Sequence, residues 1–203
     1  GIREVPSPCL QGLRALCDER GILLMFDEVQ TGVGRTGTLF AHERAGVTPD
    51  VMAVAKGIGN GFPVGAVLAT AEAASGLTPG THGSTYAGNP LASAVCNAVL
   101  DVMLADGFLD RVEVAGERLT GGLGELQARH PGVIRGVRGR GLMLGLELAI
   151  APATFTKAAF AHGLLLVPAG DEVVRLLPPL VVADAEIDEA LAILDQVAAE
   201  TTP

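Results

Sequence analysis

Lysine and the large aromatic residues are scarce in this sequence of 203 residues. Tryptophan is absent, tyrosine occurs once, and the only lysines are Lys56 and Lys157. A reaction that needs an amine nucleophile therefore has two candidates. Lysine and arginine number 14 against 23 aspartates and glutamates, which gives a net charge of −9. Because nucleic acids and anionic membranes select clustered basic residues, this balance argues against both as partners.

Cysteine and long apolar runs are also in short supply. The three cysteines, Cys9, Cys17 and Cys96, match neither a zinc site nor a disulfide framework, so we expect buried thiols in a reducing compartment. No apolar run approaches the roughly 18 residues that a membrane helix needs. We therefore expect a soluble, cytoplasmic protein. The chain starts at Gly1 within what reads as the interior of a domain, and we expect that the front of a longer protein is missing.

The first half of the chain alternates strands, helices and glycine loops. Apolar spacing predicts a helix over residues 9–20 that ends at Gly21, and the run 22–26 predicts a strand buried on both faces. Further strands are predicted over 51–55 and 64–69, with loops over 31–37 and 78–88. Asn89 and Pro90 are typical of a helix start, and this helix should run to about residue 105. The alternation indicates an α/β fold with a mostly parallel sheet.

The second half has a different pattern. A long helix is predicted over 109–129, strands over 133–148, a helix over 153–162, strands over 164–167 and 173–177, and a helix over 184–200. Helices beside short strands indicate a separate α+β domain. We expect a first domain at residues 1–105 and a second at 106–203, with the boundary between about 100 and 108.

Two charged residues stand where a sheet would present them to a ligand. Asp27 and Lys56 each follow a predicted strand, and ligands bind at the carboxyl edge of open α/β sheets. A buried structural ion pair is one interpretation of the two. The other is a reactive lysine, since a desolvated amine attacks carbonyl compounds to form a Schiff base. The glycines after Lys56 leave room for a bulky group.

Three other features are open to two interpretations each. The glycine pattern over 32–37 matches a dinucleotide-binding loop, but it lacks the acid expected about 20 residues later, so a structural loop is favoured. Ser84 and Thr85 precede a predicted helix, where they could bind phosphate or form an ordinary capping loop. Arg175 lies in an apolar strand and needs a carboxylate, from either the protein or a substrate. Lys157 has no such surroundings and is expected at the surface.

Several stretches together resemble one known family, the class III pyridoxal-phosphate aminotransferases. The resemblance extends over essentially the whole chain and is carried by residues 24–37 (LMFDEVQTGVGRTG), 49–50 (PD), 55–57 (AKG), 82–92 (HGSTYAGNPLA), 137–143 (VRGRGLM) and 175–180 (RLLPPL). It implies a fold-type I architecture, with part of the large cofactor domain followed by the small C-terminal domain. It also implies transfer of an ω-amino group, of the N-acetylornithine or ornithine type, to 2-oxoglutarate.

The resemblance implies a role for each candidate residue. Lys56 would be the lysine that binds pyridoxal 5'-phosphate covalently, and Asp27 would face the pyridine nitrogen. Val29 would pack on the ring, and Gln30 would hydrogen-bond near the ring oxygen. Ser84 and Thr85 would bind the cofactor phosphate of the partner subunit, since family members are homodimers with shared active sites. Arg175 would bind a substrate carboxylate.

The sequence departs from the family pattern at its front. Members carry a long N-terminal part that supplies further cofactor and substrate contacts, and a glutamate that pairs with the arginine at position 175. Glu4 stands near that place but is displaced, and we do not assign it this role. We therefore expect the 203-residue chain alone to be impaired or inactive. The alternatives are a non-catalytic, dimerising remnant and a racemase or aminomutase of the same fold.

Overall fold

The chain divides into two units in the computed structural model, which describes residues 1–170 and 172–201. One unit is Val5–Leu109, and the other joins Gly1–Glu4 to the residues from Asp110 onward. The domain boundary expected near residue 105 stays a prediction. In the described part of the chain no single helix is long and apolar enough to cross a membrane. The helices Pro90–Met103 and Phe108–Arg129 reach that length and composition only together, as a pair bent by 70°.

The first unit is built on a three-stranded sheet. Its elements are α1 (Ser7–Arg20), β1 (Met25–Asp27), β2 (Val51–Val54), β3 (Ala66–Ala69) and α2 (Pro90–Met103), with 3-10 helices at Ala41–Ala45, Lys56–Ile58 and Ala73–Gly76. The strand order is β1-β2-β3. Strands β1 and β2 are parallel, whereas β2 and β3 are antiparallel. The predicted α/β class is confirmed, and this sheet is mixed.

A single aspartate joins α1 to the start of both parallel strands. The Asp50 carboxylate accepts hydrogen bonds from the Leu24 backbone N–H at 2.7 Å and from Arg14 of α1 at 2.8 Å. These donors, the Leu24 N–H first, hold the pKa of the Asp50 carboxyl below its ordinary value. Helix α1 ends as predicted at Gly21, which has φ 62°.

Burial in this unit is lower than the sequence predicts. Strand β1 begins only at Met25, which is 65% exposed, and all four residues of β3 are exposed. The prediction of a strand over 22–26 buried on both faces is therefore wrong. The reason is that β1 pairs with β2 alone and packs inward mainly through Phe26, against the small cluster of Leu24, Ala45 and Val47.

The prediction of buried cysteines is also wrong. Cys9 is exposed, Cys17 and Cys96 are half-buried, and all three are free thiols. Cys9 and Cys17 belong to α1, which has no fully buried residue because only one stripe of it, including Leu10 and Cys17, packs on the cluster.

The second unit is an antiparallel sheet with helices. Its elements are α3 (Phe108–Arg129, whose first two residues fall in the other unit), β4 (Ile134–Arg140), β5 (Met143–Leu148), α4 (Pro152–Ala161), β6 (Val167–Pro168), β7 (Val173–Leu176) and α5 (Asp184–Glu200). The strand order is β4-β5-β7-β6. The strand predicted over 164–167 is misplaced, because Leu165 is 78% exposed and pairing starts only at Val167.

The core of this unit is a continuous set of leucines and other apolar side chains. One stripe of α3 and one stripe of α5 are buried, as amphipathic helices require, together with residues of β4, β5 and β7. The members exposed by 2% or less include Val112, Leu119, Leu123, Leu126, Ile134, Leu144, Leu146, Leu148, Phe155, Ile187, Leu194 and Val197.

Polar contacts along α5 join this helix to other residues of the same unit. His130 meets Asp195 at 2.6 Å and His162 meets Glu200 at 2.9 Å. The hydrogen bond from His130 is the main cause that lowers the pKa of the Asp195 carboxyl. Arg118 of α3 reaches both oxygens of Asp188 at 2.7 and 2.8 Å.

Helix α3 contains a glycine that close packing requires. A Cβ added at Gly116 would lie 2.7 Å from the backbone of Gly141, closer than real Cβ atoms approach. The neighbouring helical Gly121 is exposed, and a Cβ there would meet nothing within 4 Å. The two glycines differ in packing and not in secondary structure.

We predict opposite effects of alanine at these two positions. Gly116→Ala should lower the free energy of unfolding by about 1–3 kcal/mol, because the helix must move away from the Gly141 backbone. Gly121→Ala should raise it by about 0.5–1 kcal/mol, because alanine loses less backbone entropy in a helix. Urea unfolding followed by circular dichroism measures both values. Equal effects of the two substitutions would contradict the packing described for α3.

Candidate active site

The parallel pairing of β1 and β2 brings Asp27 and Lys56 to the same edge of the sheet. Asp27 is the last residue of β1 and lies opposite Ala53 of β2. The Glu28 N–H extends the pairing by donating to the Ala53 carbonyl at 2.9 Å. Lys56 follows β2 directly and begins a 3-10 helix. The sequence-based expectation of a shared edge agrees with this placement.

The structure differs from the expectation in the burial of the two side chains. Asp27 and Lys56 are both exposed, and no ion pair joins them among the described residues. The expectation of a desolvated lysine is therefore wrong for this chain. The physical reason is that the edge is formed by β1 and by the turn after β2, and both lie open in the described part of the chain.

Local hydrogen bonds orient the Asp27 carboxylate. Its Oδ1 accepts a hydrogen bond from the Val29 N–H at 2.9 Å, which forms a turn immediately after β1. Val29 and Gln30 are half-buried within this turn. Within the described residues Asp27 accepts no other side-chain hydrogen bond, so its second carboxylate oxygen can accept one from a ligand. A carboxylate held in this way can stabilise a positively charged ring nitrogen.

The backbone of Lys56 has an uncommon conformation. Its φ is 45°, in the left-handed region, where a residue with a side chain costs about 1–2 kcal/mol. The N–H groups of Gly59 and Asn60 donate to the Lys56 carbonyl at 3.1 and 3.0 Å and close the turn behind it. Lys157, by contrast, is an exposed residue of regular helix α4.

The acid next to Asp27 has a structural role that was not predicted from the sequence. The Glu28 side chain is only 3% exposed, and its Oε1 accepts the His42 backbone N–H at 3.0 Å. His42 Nδ1 lies 3.1 Å from the same oxygen, and the Thr31 hydroxyl donates to Oε2. The available signal was the alternation of side chains along a strand, which turns neighbouring residues to opposite faces.

The hydroxyl residues lie in the loop that precedes α2. Ser84 and Thr85 are exposed, and Ser84 Oγ accepts a hydrogen bond from the Ala87 N–H at 3.3 Å. Asn89 caps α2 as predicted, since its Oδ1 accepts the Ala92 N–H at 2.9 Å. Helix α2 contacts the 3-10 helix that begins at Lys56, but within the described residues neither hydroxyl bonds to Lys56 or Asp27.

Arg175 belongs to the other unit. It lies in β7, is half-buried, and has Gly145 of β5 as its strand partner. Glu4 bonds to the Nε of Arg140 at 2.7 Å. Glu4 therefore has Arg140 as its partner within the described residues, and its exclusion from the substrate site stays a prediction. The role of Arg175 stays a prediction.

The residues at the sheet edge fit pyridoxal 5'-phosphate by their chemistry. The exposed amine of Lys56 suits an aldehyde, and the oriented carboxylate of Asp27 suits a pyridinium nitrogen. Gly57 is exposed, so that a planar ring can approach the backbone beside the amine. The hydroxyls of Ser84 and Thr85 are open to solvent and can bind phosphate oxygens.

Comparison with known proteins gives one consistent result. The family model for class III aminotransferases matches residues 1–198. The chain is 57% identical over 202 residues to an acetylornithine aminotransferase of Agrobacterium fabrum, covering all of this chain and 51% of the relative. It is 56% identical over 205 residues to the acetylornithine aminotransferase of Rhodobacter capsulatus, covering 100% of this chain and 52% of the relative.

Solved structures agree with this comparison. Ornithine delta-aminotransferase of Plasmodium falciparum superposes with a TM-score of 0.92 at 33% identity, over 99% of this chain and 53% of that one. N-acetylornithine aminotransferase of Stenotrophomonas maltophilia gives a TM-score of 0.85 at 38% identity, over 97% and 52%. Ornithine aminotransferase of Toxoplasma gondii, described with PLP at its active site, gives a TM-score of 0.90 at 35% identity, over 97% and 48%.

The chain spans about half the length of the curated relatives it matches. Within that half, the match runs from the first residues to the last helix. The resemblance stated from the sequence is thereby confirmed, together with the fold class that it implies. The chain belongs to the class III aminotransferases, a family of pyridoxal-phosphate-dependent enzymes.

Proposed function

We propose that the protein transfers an ω-amino group from a donor of the N-acetylornithine or ornithine type to 2-oxoglutarate. The products are a semialdehyde and glutamate, released in the two half-reactions of a ping-pong sequence. The observation that carries the proposal is the placement of Lys56 and Asp27 at one sheet edge. The choice of donor is supported by the 57% identity to an acetylornithine aminotransferase.

Asp27 would control the charge of the cofactor ring. Bound pyridoxal phosphate supplies an electron sink, a protonated pyridine ring that takes up the electron pair left when a C–H proton departs. Asp27 holds that proton at the ring nitrogen, because a carboxylate nearby favours the charged form. The Val29 N–H keeps the carboxylate in one orientation while it does so.

Lys56 would serve the reaction twice. Its Nζ would hold the cofactor through a covalent bond to the aldehyde carbon. Released from that bond by the donor amine, the Nζ would act as the base that removes the proton from the carbon bearing the donor nitrogen and returns it during the transfer. A base that is positioned in this way accelerates proton transfer by about 10²–10⁴-fold.

The other site residues would bind and orient. Val29 packs on the ring face, and Gln30 hydrogen-bonds near the ring oxygen. Ser84 and Thr85 bind the phosphate of the cofactor held by the partner subunit, which their exposed position before α2 supports. Arg175 binds a substrate carboxylate, since its guanidinium can donate two parallel hydrogen bonds to it.

We predict that Lys56→Ala lowers transamination by at least about a hundredfold, because it removes both the covalent link and the base. The measurement is glutamate formed from 2-oxoglutarate and N-acetylornithine by the protein that the complete gene encodes, with pyridoxal phosphate added. Lys157→Ala is the matched control and should retain activity. A Lys56→Ala protein that still transaminates would refute the assignment.

The same assay separates the alternatives. An aminomutase or racemase would convert its substrate with no 2-oxo acid present, which would contradict the proposed reaction. A non-catalytic remnant would develop no visible cofactor absorbance and no turnover. Measuring the 203-residue chain in parallel tests the expectation that it is impaired on its own; full turnover by this chain would contradict that expectation.

We further propose that the protein is a homodimer. Its first unit exposes apolar side chains on and beside α2, with Leu91 63%, Val102 54%, Leu104 59% and Tyr86 81% exposed. Soluble proteins usually cover such groups of apolar residues by association. A second copy of the chain is the partner that the shared-site hypothesis requires.

We predict that the protein sediments as a dimer and that Val102→Glu shifts it toward the monomer, because the carboxylate would lose water in an apolar interface. The matched control is Val114→Glu, at a residue of α3 that is 63% exposed. Light scattering reports the mass of each. A wild-type protein that is a clean monomer would contradict the proposed dimer.

Free thiols support a cytoplasmic location. All three cysteines are unpaired, and one of them is exposed. Unpaired thiols persist in compartments that keep them reduced. We therefore propose the cytoplasm as the place where the protein acts.

A further inference from the structure

The buried carboxylate of Glu28 joins the two ends of the segment from Glu28 to His42. Glu28 lies at its start, and its side chain accepts the His42 N–H at 3.0 Å at its end. The Thr31 hydroxyl binds the other carboxylate oxygen, and the Gly32 N–H donates to the Glu28 carbonyl at 3.0 Å. We call residues 28–42 the Glu28–His42 bracket. Its two ends are held together by contacts that are shielded from water.

The residues within the Glu28–His42 bracket are closely packed. A Cβ added at Gly32 would lie 2.8 Å from the Glu28 carbonyl oxygen and 3.2 Å from the Phe40 ring. The Phe40 ring stacks on His42, with centroids 5.8 Å apart. The Gly34 N–H donates to the Leu39 carbonyl at 3.2 Å. These contacts define the path of the segment at several points along its length.

Val33 is the residue in the bracket with the most unusual conformation. Its φ is 55°, although a β-branched side chain strongly disfavours the left-handed region. It is also only 3% exposed. A residue stays in such a conformation only when its surroundings force it to, and such residues cluster at functional sites.

The side chain of Val33 packs against the residue that follows Lys56. A Cβ added at Gly57 would lie 3.1 Å from the Val33 Cβ and 3.5 Å from its Cγ1. Lys56 itself has φ 45°. Val33 therefore packs on Gly57, the neighbour of Lys56, and both Val33 and Lys56 have left-handed backbone conformations.

The geometry points to Val33 as a positioning residue for Lys56. The Glu28–His42 bracket presses the Val33 side chain onto Gly57, and this contact holds the backbone of Lys56 in its left-handed conformation in the turn after β2. The chemical role of the Lys56 amine rests on the proposed function. The positioning itself is a property of the chain without cofactor and can be measured separately.

Hydrogen–deuterium exchange of the cofactor-free protein tests the contact directly. The informative amides are those of Gly59 and Asn60, which donate to the Lys56 carbonyl. Val33→Ala should speed their exchange by about tenfold more than the control Val47→Ala does. Val47 is a matched control, because it is 4% exposed in the same unit and packs on another cluster. Equal exchange in the two variants would overturn the proposal.

A second variant separates positioning from stability. Val33→Gly removes the side chain but suits φ 55°, so it should unfold at a higher urea concentration than Val33→Ala. Its Gly59 and Asn60 amides should nevertheless exchange at least as fast as those of Val33→Ala. If exchange instead follows global stability across the variants, Val33 has only a structural role and the proposal is wrong.

The cofactor-loaded protein supplies an independent readout. Visible absorbance follows the bond between Lys56 and added pyridoxal phosphate, and Val33→Ala should form it about tenfold more slowly than Val47→Ala. Equal rates would count against positioning. If the wild-type protein forms no such bond, the proposed function fails while the exchange experiment still decides the role of Val33.

Discussion

Parallel pairing of β1 with β2 is the contact on which the candidate site depends. It sets Asp27 opposite Ala53 and thereby brings the end of one strand level with the turn that carries Lys56. A slip of one residue would exchange the faces of every side chain in β1. Glu28 would then face the ligand, and Asp27 would be buried without the contacts that Glu28 makes to His42 and Thr31.

Neighbouring acids therefore perform different tasks because a strand alternates its faces. Asp27 is exposed and oriented by the Val29 N–H, as a group that meets a ligand must be. Glu28 is buried and organises the segment that returns to support the lysine turn. The acid at the edge and the acid that organises the segment behind it are the last residue of β1 and the residue that follows it.

Local patterns predicted much of this fold. The Asn89 cap, the Gly21 helix end and the bounds of α5 depend on a few neighbouring residues, and each was predicted correctly. Burial was predicted poorly, because it depends on which elements cover a surface. The exposure of Lys56, Ile22 and Met25 follows from the packing of the whole unit, and the contact of Val33 with Gly57 joins segments distant in sequence.

The central claim is that Lys56 is the amine that holds the cofactor. Borohydride reduction of the protein loaded with pyridoxal phosphate makes such a bond permanent, and mass spectrometry of the digested protein locates it. The account predicts a pyridoxyl group on the peptide that contains Lys56. A label on Lys157, or no covalent label at all, would contradict it.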